Sequence, residues 1–203
     1  MSKIKVIFVG DGEVGKTSLI TQFTTKTFNT EHMMTLPGDN SSKQLEVNGE
    51  ILNLEIWDTA GQEKFRTTNK IFMKNAKIVI FVVDITNKNS INGLNYWFKE
   101  VKDNLDLNNV VTGIASNKSD LYEKREFEQS EIDNFAKKNN IDFTDETSAQ
   151  DFDSIQNFFV EIGKKYIEKH KGNNNEDNDI NHGSIKVDKK SIKQKKNSKN
   201  GCC

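Results

Sequence analysis

The chain has 203 residues, room for one domain with a substantial core, yet only 34% are hydrophobic and 25 are asparagine, which points to a globular body with a polar tail. Residues 171–203 hold eight lysines against four acids, net +4, so residues 1–170 carry 21 basic and 26 acidic side chains, net −5. An acidic body argues against nucleic acid as its partner, while the basic tail leaves an anionic membrane open.

The first element read from the N-terminus is a strand, Ile4–Val9 in "KIKVIFVG", and no apolar signal region precedes it. Further strands are expected at Gln44–Val47, Ile51–Trp57, Ile78–Val83, Val110–Ser116 and, more weakly, near Ile141–Thr144. Asn48-Gly49 between the second and third predicts a tight antiparallel hairpin. Helical spacing appears at Leu94, Trp97, Phe98, Val101 and Leu105, and at Ile132, Phe135 and Ala136 behind Ser130 as N-cap. It returns at Ile155, Phe158, Phe159, Ile162 and Tyr166. These stripes read as core. Short apolar runs alternating with helices predict an α/β fold on a mostly parallel sheet.

Periodicity stops near His170, so residues 1–170 are expected to form the domain and residues 171–203 a disordered tail. The longest apolar run, "IVIFVV" at 78–83, is too short to span a bilayer, so the chain is expected neither to cross a membrane nor to enter the secretory route by a signal peptide. Both cysteines, Cys202 and Cys203, stand last, so no disulfide ties the body together and a reducing compartment is expected.

Directly after the first strand, Gly10-Asp11-Gly12-Glu13-Val14-Gly15-Lys16-Thr17 fits G-x-x-x-x-G-K-[ST], with Ser18 continuing into a helix. Consecutive backbone N–H groups at a helix N-terminus cradle phosphates, and glycines permit the close approach. Lys16 is expected to neutralise the outer phosphates and the Thr17 hydroxyl to ligate Mg²⁺. This motif alone also suits an ATPase or a nucleotide kinase.

"DTAGQ" at 58–62 puts Asp58 at a strand end as a second Mg²⁺-shell acid, Gly61 as a backbone donor to a γ-phosphate, and Gln62 where it orients an attacking water. In "SNKSD", Asp120 can accept both N1–H and the exocyclic amine of guanine, Lys118 packs along the base, and Asn117 ties the loops together. Adenine lacks that donor pair, and such sites discriminate by roughly 10⁴ or more. In "ETSAQ", Ala149 after Ser148 offers its N–H to the guanine carbonyl, with Gln150 beside it, and Phe28 covers the base edge.

With those segments in this order, residues 3–170 resemble the small GTPases of the Ras superfamily, and "LEIWDTAGQEKFRT", "FVVDITNKNSI" and the terminal "GCC" are most similar to the Rab branch. The resemblance implies a three-layer P-loop G domain with a six-stranded, mostly parallel sheet, one antiparallel hairpin strand and about five helices. It implies GTP and GDP with Mg²⁺ as ligands, slow hydrolysis on the order of 10⁻⁴ s⁻¹ until a partner supplies an arginine, and a role in vesicle traffic. It makes Thr35 the γ-phosphate-sensing threonine and third Mg²⁺ contact, within a mobile loop at about 30–40, with a second at about 60–74. Implied partners are an exchange factor, an activating protein, a GDP-dissociation inhibitor, a prenyl-transfer escort and effectors.

The resemblance also implies geranylgeranyl groups on Cys202 and Cys203, two chains anchoring stably where one is marginal. The expected place is the cytoplasmic face of an intracellular or plasma membrane, with a cytosolic pool. Seven lysines and one aspartate between Lys186 and Lys199 either add attraction to an anionic leaflet or simply solvate the tail. Against the branch pattern "TIGVDF" this chain has Pro37 and Asn40, "FMKNA" stands at 72–76, and Gln150 replaces a lysine that would stack on the base. Pro37 with Gly38 is either a tolerated turn or a restriction on the loop beyond Thr35. None of these departures removes a phosphate or Mg²⁺ ligand, so ordinary nucleotide binding with an unusual partner set is expected.

Overall fold

Alternation along β1 (Ile4–Val9) sends Val6 and Phe8 to one face and Ile7 and Val9 to the other, and all four are buried. That double burial is the signature of a central parallel strand with helices on both sides. The computed structural model describes residues 3–28, 39–59 and 71–176. In chain order they form β1, α1 (Lys16–Thr25), β2 (Asn40–Val47), β3 (Glu50–Asp58), β4 (Ile78–Asp84), α2 (Asn89–Asn104), β5 (Val111–Asn117), α3 (Gln129–Asn139), β6 (Phe143–Glu146) and α4 (Phe152–Glu176), with short 3-10 turns at Leu107–Asn109 and Ser119–Lys124.

The sheet runs β2-β3-β1-β4-β5-β6, all pairs parallel except β2 with β3. Asn48 (φ 51°) and Gly49 (φ 80°) both take the left-handed region that a two-residue hairpin of the expected kind needs. One core cluster packs α1 (Leu19, Ile20, Phe23) and α4 (Ile155, Phe158, Phe159, Ile162) on one face, Phe23 stacking on Phe159 at 3.6 Å. The other packs α2 (Leu94, Trp97, Val101) and α3 (Ile132, Ala136) on the opposite face. The expected three-layer α/β architecture is present.

Several boundaries differ from the sequence reading. β2 starts at Asn40, four residues before Gln44, because polar Asn40–Lys43 pair in register with Trp57–Leu54 at the sheet edge. β6 lies at Phe143–Glu146, since Asp142 turns back to bond Thr112. Ser130 is not the N-cap of α3. The helix begins at Gln129, and the Glu131 carboxylate reaches back to the Glu128 N–H at 3.3 Å, the Glu128–Glu131 pairing of a capping box. Leu105 is the C-cap of α2 rather than part of its stripe. α4 continues to Glu176, beyond the boundary expected at 170. Among the described residues no helix is long and apolar enough to cross a membrane.

Candidate functional site

The C-terminal ends of the parallel strands meet along one edge of the sheet, and the registers Phe8↔Asp58, Asp84↔Asn117 and Ser116↔Glu146 set which residues emerge there. Ligand crevices in such sheets form at this edge. Gly10 leaves β1 at φ 151°, so close to β4 that a Cβ would sit 2.4 Å from the Val82 carbonyl oxygen. Glu13 (φ 65°) and Gly15 (φ 94°) are both left-handed, and Gly15 is the N-cap of α1, which has no side-chain cap. Alternating turns of this kind make a concave row of N–H donors ahead of a positive helix end, which suits an anion.

Lys16 lies inside this loop, buried, its Nζ donating to Gly10 O (2.9 Å) and Asp11 O (2.6 Å). Burial pushes its ammonium down to about 8, an effect partly offset by the carboxylates of Asp58 and then Asp11. The Thr17 hydroxyl donates to Asp58 Oδ2 at 2.5 Å, so these two expected Mg²⁺ residues are brought together at the start of α1. The donor set, a hydroxyl and a carboxylate, is all oxygen, and Mg²⁺ needs only one or two such protein ligands beside phosphate and water. The residues fit the ion. Thr59 Oγ1 donates to Phe8 O at 2.6 Å and so fixes the backbone where the segment leaves β3.

A hydrogen bond joins the second half of the site to the first. Asn117, almost fully buried, donates Nδ2 to Val14 O at 2.8 Å. Asp120 accepts from the Ser148 hydroxyl at 2.5 Å, Ser148 Oγ in turn accepts from the Gln150 N–H at 3.1 Å, and the Ser119 N–H donates to Thr147 O. Residues 117–120 and 147–150 therefore form one hydrogen-bonded unit. Within it and at Ser116 just before it, Asn117 Oδ1, Thr147 Oγ1 and Ser116 Oγ are buried with no hydrogen-bond partner among the described residues, which suits a polar ligand. Ala149 is buried and Gln150 exposed. Lys118 is left-handed (φ 66°), and its Nζ meets Asp84 Oδ2 at 2.6 Å.

Of the other expected residues, Phe28 is 40% exposed at the end of a described segment, and Asn40 is exposed as the first residue of β2. Thr35, Pro37, Gly38, Gly61, Gln62, Cys202 and Cys203 lie outside the described residues. Sequence reasoning assigned no role to Asp84. It is buried, ends β4, receives Thr86 N–H and Oγ1 on its Oδ1, and neutralises Lys118 with its Oδ2. An acid closing the apolar run "IVIFVVD" was the available signal. Trp97, read as core, also donates its indole N–H to Asp11 Oδ1 at 2.8 Å.

The Ras family model matches residues 5–168. The chain is 34% identical over 169 residues to the Ras-related protein Rab-30 of Homo sapiens, covering 83% of this chain and 82% of that protein, and Rab-30 of Bos taurus and of Mus musculus match to the same extent.

Proposed function

The chain belongs to the Ras family and is a guanine-nucleotide switch that hydrolyses GTP, and on that premise we propose that it acts in membrane traffic as a Rab-like protein, with the following division of labour. Residues 10–18 hold the phosphates, Lys16 as the charge and the loop's N–H groups as the cradle. Thr17, Thr35 and, through water, Asp58 hold Mg²⁺, which supplies charge neutralisation on the phosphates. Asp120 selects guanine, aided by Asn117, Lys118, Ser148, Ala149 and Gln150, with Phe28 at the base edge. Gln62 orients the water that attacks the γ-phosphate in line, and Gly61 reports the γ-phosphate through its backbone.

What supports this assignment is the Asn117 to Val14 hydrogen bond, which makes the phosphate loop and the "NKSD" loop a single structure. Neither of the two arginines lies in the phosphate loop, and Arg125 donates from Nη2 to both carboxylate oxygens of Glu146 at 2.7 and 2.8 Å. An activating protein is therefore the proposed source of a catalytic arginine, alongside an exchange factor, effectors, a GDP-dissociation inhibitor and a prenyl-transfer escort. Cys202 and Cys203 carry the proposed lipid anchor to a cytoplasmic membrane face. The test is affinity of the purified chain for GTP, GDP and ATP with Mg²⁺, followed by single-turnover hydrolysis. Guanine nucleotides should bind on the order of 10⁴-fold tighter than ATP, and Gln62→Leu should bind GTP normally but hydrolyse it far more slowly. Comparable affinity for ATP would refute the base assignment.

A further inference from the structure

We propose that Trp97 and Gly93 of α2 are positioning residues for the nucleotide, acting through Asp11. They form a socket that takes the Asp11 carboxylate and thereby fixes the first half of the phosphate loop. The inference rests on the nucleotide reading above and adds α2, a helix otherwise accounted for as core, to the determinants of binding.

Gly93 and Trp97 are four residues apart, so they lie one turn apart on one face of α2. The Trp97 indole N–H donates to Asp11 Oδ1 at 2.8 Å, and Trp97 is only 2% exposed, so water is a poor substitute for that acceptor. At Gly93 a Cβ would lie 2.0 Å from Asp11 Oδ2, 2.5 Å from Cγ and 2.6 Å from Oδ1. The carboxylate thus occupies the place where any other residue would carry its side chain. Two independent features of α2, a donor and a missing Cβ, converge on the same group.

The consequence for the nucleotide follows from the other atoms of Asp11. Its carbonyl oxygen accepts from Lys16 Nζ at 2.6 Å, beside the Gly10 carbonyl. The preceding Gly10 runs close enough to β4 that a Cβ there would lie 2.4 Å from the Val82 carbonyl oxygen. Asp11 is therefore gripped by α2 through its side chain and grips Lys16 through its backbone. Releasing the carboxylate frees the loop between Gly10 and Gly15, so the lysine and the N–H cradle lose their fixed relation before phosphate arrives.

The experiment measures dissociation of a fluorescent GDP analogue from the full chain with Mg²⁺, together with the melting temperature. Trp97→Phe keeps an aromatic ring but removes the donor, and Asp11→Ala removes the acceptor. Each should release GDP about tenfold faster. The double variant should be no faster than the quicker single one, because both break the same contact. Asp11→Asn keeps an acceptor oxygen and should recover most of the loss seen in Asp11→Ala. Gly93→Ala should also accelerate release. Ile132→Val in the buried face of α3 serves as the stability control, lowering the melting temperature without changing the release rate. Wild-type release rates in Trp97→Phe and Asp11→Ala, or additive effects in the double variant, would overturn the inference while leaving the switch reading intact. A wild-type chain that bound no GDP would overturn both.

Discussion

Gly15→Ala isolates the junction between the phosphate loop and the base-binding loop. Gly15 sits at φ 94°, where an L side chain costs roughly 1–2 kcal/mol. Its Cβ would also lie 2.3 Å from Asn117 Nδ2, the atom that donates to Val14 O. Alanine must therefore displace the Asn117 amide, leaving a buried donor and a buried carbonyl unpaired at a cost of about 1–3 kcal/mol. Together these give about 2–5 kcal/mol for holding the loop in its present form. If the loop relaxes in the free protein, that cost reappears on binding, and its lower end is about 30-fold in affinity. Titration calorimetry with GDP and Mg²⁺ reads the affinity, and a melt of the nucleotide-free chain reads the remainder. Gly49→Ala is the matched control: φ is 80° there, a Cβ meets nothing within 4 Å, and the hairpin is remote from the site. It should lower the melting temperature and leave affinity alone. A Gly15→Ala chain with GDP affinity within about threefold of wild type and an unchanged melt would refute the reasoning, because it would mean that Asn117 and the loop adjust freely.

Three further outcomes are expected. The Lys16 pKa, about 8 in the folded chain against 10.5 ordinarily, lies below its unfolded value, so the nucleotide-free domain should gain stability as pH rises between those values. Phosphate favours the charged lysine, so GDP affinity should move the other way, weakening about fourfold from about pH 7 to about pH 8.5, below the range where guanine's own N1–H ionises. A flat affinity profile would show that the lysine keeps its proton throughout. Asp84→Asn retains an acceptor for Thr86 but leaves Lys118 without its anion, and should weaken GDP binding about tenfold, or roughly 1–2 kcal/mol after discounting the partial exposure of the lysine. Unchanged affinity by calorimetry would mean Lys118 needs no anchor. Replacing either Cys202 or Cys203 by serine should shift the cellular protein from a stable membrane fraction to a marginal one, and replacing both should abolish sedimentation with membranes; retention of the double variant would refute the lipid anchor.

The shape of the loop at residues 10–17 was legible because its requirements are local: a strand, glycines at set positions, then a helix. The same holds for the hairpin, where Asn48-Gly49 alone dictates the turn. Strand ends were less legible. β2 extends through Asn40, Ser41 and Ser42, residues with no apolar signal, because pairing with β3 rather than burial holds them in the sheet. Ser130 looked like an N-cap by type, but the helix is capped two residues earlier, where the Glu131 carboxylate accepts the Glu128 N–H. Asp84 and Trp97 were missed for a different reason. Their roles are set by partners 34 and 86 residues away along the chain, Lys118 and Asp11, and no local pattern carries that information.

Those long-range partners share a cause in the topology. β1 lies between β3 and β4, and the helix that follows it, α1, packs in one core cluster, whereas α2, which follows β4, packs in the other. The C-terminal end of β1 is thus the point where connections part to opposite faces of the sheet, the position at which doubly wound sheets leave a crevice. The phosphate loop begins in that crevice and ends in α1. Its early residue Asp11 is still over the sheet edge, within reach of α2, while Lys16 already belongs to α1. The Lys16 bond to Asp11 O therefore links the two helical layers through the loop itself. A displacement of α2 cannot leave the lysine unaffected unless the Trp97 contact is broken first. The topology that opens a place for phosphate also sets a helix on each side of it, and Gly93 and Trp97 use the second one.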